Sequence, residues 1–271
     1  MKLEKALKKA KKNRQQAIPL NIEDRRQFVK KAATEWTRPV YRKSTHMPID
    51  PQKVIRNRGI ALASNTPAAE AYKVLKSQVQ QHVLQNNKRT VLVTSPMPED
   101  GKTLTVVNLA LSFAKSYQQT VLLVDGDLKR QDVSKIFGLD SPAGIQDYLE
   151  GRRSMEEIIV WPGIEQLCFI SGGKLSPNSA EMLASPKMRT LMEDLKTKYD
   201  DRVILFDSPP VLSGADTLAL AASVDSIIMV VSEGRTTMDD VKHAIEMLPN
   251  EKLLGFVMNR QTTETMTSYY Y

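Results

Sequence analysis

Cysteine, histidine and long apolar runs are scarce in this sequence of 271 residues, and each scarcity excludes a class of protein. A single cysteine, Cys168, rules out an intrachain disulfide framework and fits a reducing compartment. The histidines have no metal-ligand spacing; they are His46, His82 and His243. No stretch approaches 18 consecutive apolar residues, and the N-terminus lacks the apolar core of a secretory signal. The sequence therefore predicts a cytoplasmic protein that does not cross a bilayer by itself.

Acidic residues are scarce at one end of the chain only. Residues 1–58 hold 17 Lys and Arg against 5 Asp and Glu, a formal charge of +12, whereas the whole chain carries +7. The rest of the chain is therefore mildly acidic, and its 41% hydrophobic content is typical of a globular protein. Because the basic charge lies in an arm rather than in the body, we expect no nucleic-acid partner.

The basic arm has the pattern of a partly helical segment. Leu3 and Leu7 form a narrow apolar stripe among lysines, as in basic helices that lie on anionic membranes. Two leucines leave a solvated helix or tail open as the alternative. A second helix is expected at Glu23–Trp36, and a proline-punctuated linker follows it. We place this arm and linker at residues 1–66, with peripheral contact to an anionic membrane as an expectation.

From Pro67 onwards, short β-branched runs alternate with longer helical segments. Near-continuous apolar runs are typical of strands that are buried on both faces of a parallel sheet. The expected strands are Thr90–Thr94, Thr120–Val124, Leu167–Ile170, Val203–Phe206, Ser226–Val231 and Leu253–Met258. The predicted fold is one α/β domain at 67–271, a doubly wound, mostly parallel sheet of the P-loop NTPase type.

The first predicted strand leads into a candidate phosphate-binding loop, SPMPEDGKT, and then into a helix at Leu104–Tyr117. In such a loop the backbone N–H groups cradle phosphates, Lys102 reaches the β and γ oxygens, and Thr103 ligates Mg²⁺. Pro96 stands where the usual first glycine would be. The candidate nucleotide-binding residues are Pro98, Glu99, Asp100, Gly101, Lys102, Thr103 and Leu104. Asn259, which ends the last strand, is a base-contacting or a capping candidate.

Two further predicted strands end in carboxylates. Asp125 and Asp127 follow the second strand, and Asp207 follows the fourth. An isolated aspartate at such a place is commonly a turn or N-cap residue. Because the carboxyl ends of parallel strands meet at one edge, we expect these acids beside the phosphate loop. The combination predicts a site for a nucleotide with Mg²⁺.

These motifs resemble the bacterial tyrosine kinases of capsule and exopolysaccharide systems, over about residues 67–271. Further shared landmarks are GIQDYLEG at 144–151, SPN at 176–178, EML at 181–183, the FDSPPVLSGAD segment and the terminal tyrosines. The resemblance implies an autokinase that moves the γ-phosphoryl of Mg-ATP to tyrosines of neighbouring subunits. It also implies a role in regulating polysaccharide polymerisation and export. The implied acceptors are Tyr269, Tyr270 and Tyr271, in a tail at about 262–271.

Phosphoryl transfer depends mainly on positioning and charge neutralisation. Lys102 is expected to neutralise phosphate charge together with Mg²⁺ held by Thr103 and Asp207. Asp125 and Asp127 are left to orient the tyrosine hydroxyl, accept its proton or hold metal-bound water. Asp125 is the preferred base, although the sequence does not separate the two.

The helix before the first strand resembles the oligomerisation motif E-x-x-R-x-x-R of that family, with lysine in place of both arginines. Glu70, Lys73 and Lys76 share a helix face and are expected to pair across a subunit boundary in a homo-oligomer, with a ring as the expected form. An ordinary solvated helix face is the alternative. The resemblance also implies a separate transmembrane polysaccharide co-polymerase as adaptor, and a location at the inner face of the cell membrane.

Two other functions remain open at this point. One is an ATPase switch similar to the MinD and ParA-like proteins, whose KGGxGK loop would place a lysine where Met97 stands. The other is a non-catalytic, nucleotide-dependent scaffold of a membrane assembly. Formation of phosphotyrosine distinguishes the kinase from both.

Overall fold

Eight strands form a single twisted sheet at the centre of the computed structural model, which describes residues 44–63, 66–86, 88–116, 119–140, 142–198 and 202–261. The strands lie in the order β1-β4-β5-β3-β6-β2-β7-β8. They are β1 Thr45–His46, β2 Thr90–Thr94, β3 Thr120–Asp125, β4 Ile159–Trp161, β5 Leu167–Ile170, β6 Arg202–Asp207, β7 Ser226–Ser232 and β8 Leu253–Asn259. From β5 to β8 every neighbouring pair is parallel, whereas β4 is antiparallel to β5 and parallel to β1.

Helices cover both faces of the sheet. They are α1 Pro51–Arg56, α2 Pro67–Asn86, α3 Lys102–Ala114, α4 Asp132–Phe137, α5 Ile145–Leu149, α6 Met155–Ile158, α7 Ser179–Leu183, α8 Pro186–Thr197, α9 Asp216–Ser223 and α10 Met238–Met247. Successive side chains of a strand point to opposite faces, so each central strand contributes to two cores. Val91 and Val93 pack towards α2 and α3, and Leu92 packs with residues of α8, α9 and α10.

This architecture confirms the predicted doubly wound, mostly parallel α/β fold. All six expected strands form, with bounds that differ by one residue at most. Strands β1 and β4 were not predicted; they are two and three residues long and lie together at one edge. Strands this short contain too few residues to show an alternating pattern.

Residues ahead of the predicted domain boundary also pack against the sheet and its helices. Met47 donates its N–H to the carbonyl of Trp161, and Val54 is fully buried. The Asn57 side chain donates to the carbonyls of Lys135 and Ile136, at the end of α4. The segment 44–63 therefore lies on the α/β body. The expected helices within residues 1–43 and the C-terminal tail at 262–271 lie outside the described residues.

Candidate active site

The phosphate loop lies between β2 and α3, at the carboxyl edge of the sheet. Glu99 and Gly101 both have left-handed backbone, with φ of 64° and 96°. A Cβ added to Gly101 would lie 2.0 Å from the Asn259 amide nitrogen, so only glycine fits there. The loop therefore combines two left-handed residues with a close contact to the end of β8, and α3 begins directly after it.

A cavity of about 460 Å³ opens beside this loop. Its lining includes Pro98, Glu99, Gly101, Lys102, Thr103, Leu104 and Asn259, which were all predicted as nucleotide contacts. Asp100 is instead fully buried behind the loop. Its carboxylate accepts hydrogen bonds from the Met97 N–H at 3.0 Å and from the Thr236 hydroxyl at 2.7 Å, which brace the loop.

The Lys102 ammonium lies inside a cage of acids from two other strand ends. Its Nζ is 3.4 Å from Asp127 Oδ2 and 3.8 Å from Asp207 Oδ1, and it donates to Thr103 Oγ1 at 3.1 Å. Burial acts to lower the pKa of Lys102, but the charges of Asp207, Asp127 and Asp125 together raise it above its usual value. The lysine is therefore held charged at the mouth of the phosphate loop.

Asp125 and Asp207 are register partners on neighbouring strands β3 and β6. Gly126 allows this approach, because an added Cβ would lie 2.7 Å from the Asp207 carbonyl oxygen. Both carboxylates are completely buried, and burial is the main cause that raises their pKa values. The pKa of Asp207 rises to about 6, and that of Asp125 rises well above its usual value, with the charges of Asp207 and Asp127 as further causes.

The two acids of the DGD sequence have different surroundings. Asp125 accepts N–H bonds from Asp127 and Val133, at 3.2 and 3.3 Å. Asp127 accepts N–H bonds from Lys129 and Arg130 with one oxygen and faces Lys102 with the other. Asp127 lies beside the Lys102 ammonium and is suited to hold it in place. Asp125 has a raised pKa, which suits a proton acceptor.

Thr103 and Asp207 provide the chemistry that Mg²⁺ requires. Thr103 Oγ1 donates to Asp207 Oδ2 at 2.7 Å, and Asp207 Oδ1 is buried without a hydrogen-bond partner among the described residues. A hydroxyl and a carboxylate are hard oxygen ligands, which Mg²⁺ prefers together with phosphate oxygens. Within the same ranges, no three Asp, Glu, His or Cys side chains form a metal-binding group by themselves. The residues therefore fit a Mg²⁺ that is shared with a nucleotide.

Asn259 contacts the phosphate loop as well as lining the cavity. Its side-chain amide donates to the Asp100 carbonyl at 2.8 Å. The adjacent Arg260 donates to the Glu99 carbonyl at 2.9 Å. The end of β8 therefore supports the loop from outside, a role for which the sequence motif gave no signal.

Several residues near the site were not predicted. Asp216, at the start of α9, is buried and accepts bonds from the Lys129 ammonium at 2.8 Å and from the Ser179 hydroxyl. This cluster ties the loop after Asp127 to α7 and α9. Arg58, Ile60 and Tyr72 line the same cavity as the phosphate loop. Only contact across the fold reveals them, because they lie at least 26 residues ahead of Pro98 in the chain.

The predicted oligomerisation residues lie on α2, away from the cavity. Glu70 and Lys73 form an exposed ion pair with each other at 2.6 Å, and Lys76 donates to the Ser116 hydroxyl at 3.0 Å. The predicted acceptors Tyr269, Tyr270 and Tyr271 fall outside the described residues. Among the helices that are described, none is both long and apolar enough to span a bilayer.

Comparison with known proteins identifies the family. A family model described as an AAA domain matches residues 99–252, more than half of the chain. Tyrosine-protein kinase YwqD of Bacillus subtilis (strain 168) is 30% identical over 226 residues, which are 80% of this chain and 94% of that protein. The chain belongs to the bacterial tyrosine-protein kinases. The chain is therefore a protein-tyrosine kinase that binds nucleotide, as the resemblance implied.

Other relatives have the same name but a different length. Tyrosine-protein kinase etk of Escherichia coli (strain K12) is 27% identical over 215 residues, which are 78% of this chain but 29% of that protein. The solved kinase domain of E. coli ETK has a TM-score of 0.69 and 25% identity, and the match covers 83% of this chain and 93% of that domain. The match to etk is therefore confined to part of that protein.

A more distant structural likeness bears on the alternative function. The septum site-determining protein MinD from Pyrococcus horikoshii, solved with Mg-ADP, has a TM-score of 0.53 and 24% identity. It covers 66% of this chain and 76% of that chain, and at this identity it shows the fold alone. The ATPase switch is thus less well supported than the kinase.

Proposed function

We propose that this kinase transfers the γ-phosphoryl group of ATP, with Mg²⁺, to the hydroxyls of Tyr269, Tyr270 and Tyr271 of neighbouring copies. The observation that carries this proposal is the Lys102 ammonium, held charged between Asp127 and Asp207 at the entrance of the phosphate loop. The kinase would act in control of exopolysaccharide or capsule polymerisation and export. This setting rests on the resemblance of its motifs to those of kinases in such systems.

Lys102, Thr103 and the three acids around them each have a separate part in the transfer. Thr103 and Asp207 would hold Mg²⁺, which supplies charge neutralisation at the phosphates when bound. Lys102 stabilises the negative charge on the β and γ oxygens, and Asp127 keeps the ammonium in place. Asp125 accepts the proton of the tyrosine hydroxyl as its oxygen bonds to the γ phosphorus and the bond from that phosphorus to ADP breaks.

Antibody detection of phosphotyrosine on the purified protein after incubation with Mg-ATP tests the site. We expect strong labelling of the wild type and of Lys242→Met, which removes an exposed lysine on α10. Lys102→Met and Asp125→Ala should abolish labelling, because each removes a group of the cage. Full labelling of either variant would contradict the assignment. ATP hydrolysis without any labelled protein would favour the ATPase switch instead.

Transfer between copies is tested by mixing two proteins, neither of which can phosphorylate its own tail. One carries Lys102→Met with an intact tail, and the other has an intact site with Tyr269, Tyr270 and Tyr271 changed to Phe. We expect phosphate on the tail of the first protein only when both are present. Mass spectrometry that finds phosphate on Tyr148 instead, with the tail unmodified, would contradict the tail as acceptor. Tyr148 lies half-buried under Lys187 and serves as an internal comparison.

Assembly into a homo-oligomer, with a ring as the proposed form, is supported by the charged face of α2. The Glu70–Lys73 pair is exposed, and Val74 beside it is 55% exposed. Glu70→Lys should lower the particle mass in light scattering, whereas Glu246→Lys on α10 should not. An unchanged mass in Glu70→Lys would exclude this face as the interface.

The proposed location is the inner face of the cell membrane, where a separate transmembrane co-polymerase would serve as adaptor. The basic charge of the N-terminal arm supports this location, since anionic lipid attracts such segments. Recruitment would then be a property of residues 1–43, and catalysis a property of the α/β body with the segment 44–63 that lies on it.

A further inference from the structure

One wall of the nucleotide cavity comes from a segment that carries no nucleotide-binding motif. The phosphate loop and the first turn of α3 form one side of the cavity, and Arg58, Ile60 and Tyr72 contribute to another. Arg58 follows α1 directly, and Ile60 begins a short 3₁₀ turn, Ile60–Leu62. Two of these residues, Arg58 and Ile60, precede the predicted catalytic domain at 67–271.

The backbone of this wall is fixed by the helix that carries Lys102. Asn108, a buried residue of α3, donates its side-chain amide to the Arg58 carbonyl at 3.0 Å. The same side chain accepts the Ala61 N–H at 2.8 Å. Arg58 has left-handed backbone with φ of 70°, a conformation that persists in a non-glycine residue only where its surroundings hold it. The backbone of Arg58 is therefore held in position beside the cavity by Asn108.

The guanidinium of Arg58 differs from the other two in the cavity lining. Arg130 pairs with Asp132 at 3.3 Å, and Arg260 donates to the Glu99 carbonyl. Within the described part of the chain, the Arg58 guanidinium has no hydrogen bond or ion pair, and its side chain is exposed. A planar arginine fork suits phosphate oxygens, which it can bind through two N–H groups.

We propose that Arg58 binds the α-phosphate of the nucleotide, with Ile60 in apolar contact with its ribose or base. This inference rests on the proposed function, because it takes the β and γ phosphates to lie at Lys102. The α-phosphate and nucleoside then extend from the loop into the open cavity, which the Arg58 segment also lines. The cavity lining has four cations, Arg58, Lys102, Arg130 and Arg260, against the two acids Glu99 and Asp132, which suits an anionic ligand.

The test compares nucleotide affinity in Arg58→Asn and Arg56→Asn. Asparagine tolerates left-handed backbone better than most residues, so the first variant should keep the local fold. We expect its Kd for ADP to rise about tenfold, as for a lost hydrogen bond to a charged group. The KM for ATP should rise similarly with kcat unchanged, because the α-phosphate is bound equally before and during transfer. Arg56, exposed and paired with Asp50 at 3.7 Å, does not line the cavity, so its variant should bind ADP like the wild type.

Arg58→Gly is a second variant for the same test, because glycine adopts a φ of 70° without strain. Loss of ADP affinity in both variants, with melting temperatures near that of the wild type, supports the inference. A wild-type Kd in either folded variant overturns it, and so does a fall in kcat at an unchanged KM. ADP titration needs no phosphotyrosine, so a wild type that binds ADP but labels no protein would refute only the kinase mechanism.

Discussion

Asp125, the proposed base, is buried at a cost to stability. The carboxylate is completely buried, and desolvation is the largest cause of its raised pKa. Two N–H bonds and the Lys102 charge oppose this effect without cancelling it. A proton acceptor with a raised pKa is useful in phosphoryl transfer, but its ionised form is costly to bury.

We predict that the unfolding free energy of the nucleotide-free protein decreases as pH rises. For Asp207 this decrease occurs in the pH window between its usual pKa of 3.8 and its native-state pKa of about 6. Within it the native state binds more protons than the unfolded state, so each rise in pH favours unfolding. Asp125 contributes a loss of the same sign, since burial also raises its pKa well above its usual value. Thermal unfolding measured across the window from pH 3.8 to about 6 should show this slope.

Asp125→Asn should reduce that slope and raise the melting temperature at the upper end of the range, while it abolishes phosphotyrosine formation. The amide keeps the side-chain shape but carries no charge that burial would penalise. Asp239→Asn is the matched control, because Asp239 is exposed on α10 and pairs with Lys242 at 2.9 Å. A lower melting temperature for Asp125→Asn at every pH would contradict the account of this carboxylate.

At the scale of elements, α3 connects the two walls of the nucleotide cavity. Its first residues, Lys102 and Thr103, line the cavity, and Asn108 holds the segment at 58–61 one and a half turns later. A third bond from Asn108 goes to the Leu104 carbonyl of the same helix. All polar atoms of this buried side chain are therefore used in joining the walls.

Asn108→Ala should destabilise the protein by about 1–3 kcal/mol, because the Arg58 carbonyl and the Ala61 N–H lose their partner. The KM for ATP should rise as well, since the segment at 58–61, which lines the cavity, is no longer held in place. Ser112→Ala is the control on the same helix, where the serine makes a single long bond of 3.4 Å to the Tyr72 carbonyl. Chemical denaturation and steady-state kinetics measure both effects. A stable Asn108→Ala with unchanged KM would show that the wall needs no such support.

The central strands were predictable because each is an apolar run buried on both faces, with a turn or an acid after it. The edge strands were not, since β1 gains its hydrogen bonds from β4 rather than from a pattern of its own. The bond between Asp100 and Thr236 could not be predicted from the sequence for a similar reason. Its position within the loop is typical of a phosphate contact, yet Thr236 from a distant loop binds its carboxylate.

For the whole molecule, the N-terminal region divides into two parts with different expected roles. Residues 1–43 hold 14 Lys and Arg against 4 Asp and Glu. Residues 44–63 supply β1, α1 and the Arg58 wall, with Val54 fully buried. The positive charge is therefore concentrated in residues 1–43, ahead of the segment 44–63 that contributes to the cavity. In an oligomer, several arms would bind one surface more tightly than a single arm.

We predict that removal of residues 1–43 abolishes binding to vesicles with phosphatidylserine and leaves the Kd for ADP unchanged. Removal of residues 1–63 should in addition weaken ADP binding and lower the melting temperature, because it removes buried contacts and the Arg58 wall. Vesicle sedimentation and ADP titration measure the two properties. Neutral vesicles are the control, since the attraction depends on charge. Retained vesicle binding without residues 1–43 would place the membrane contact elsewhere.

The sequence by itself determined the sheet, the phosphate loop and the acids at the strand ends, because these depend on local apolar runs and short motifs. It also determined the family, through motifs that occur in one order along the chain. Only the tertiary structure decided which groups meet. Burial raises the pKa values of Asp125 and Asp207, Asn259 supports the loop, and Arg58 reaches the cavity. These properties arise from contacts between distant segments, and no local pattern in the chain encodes them.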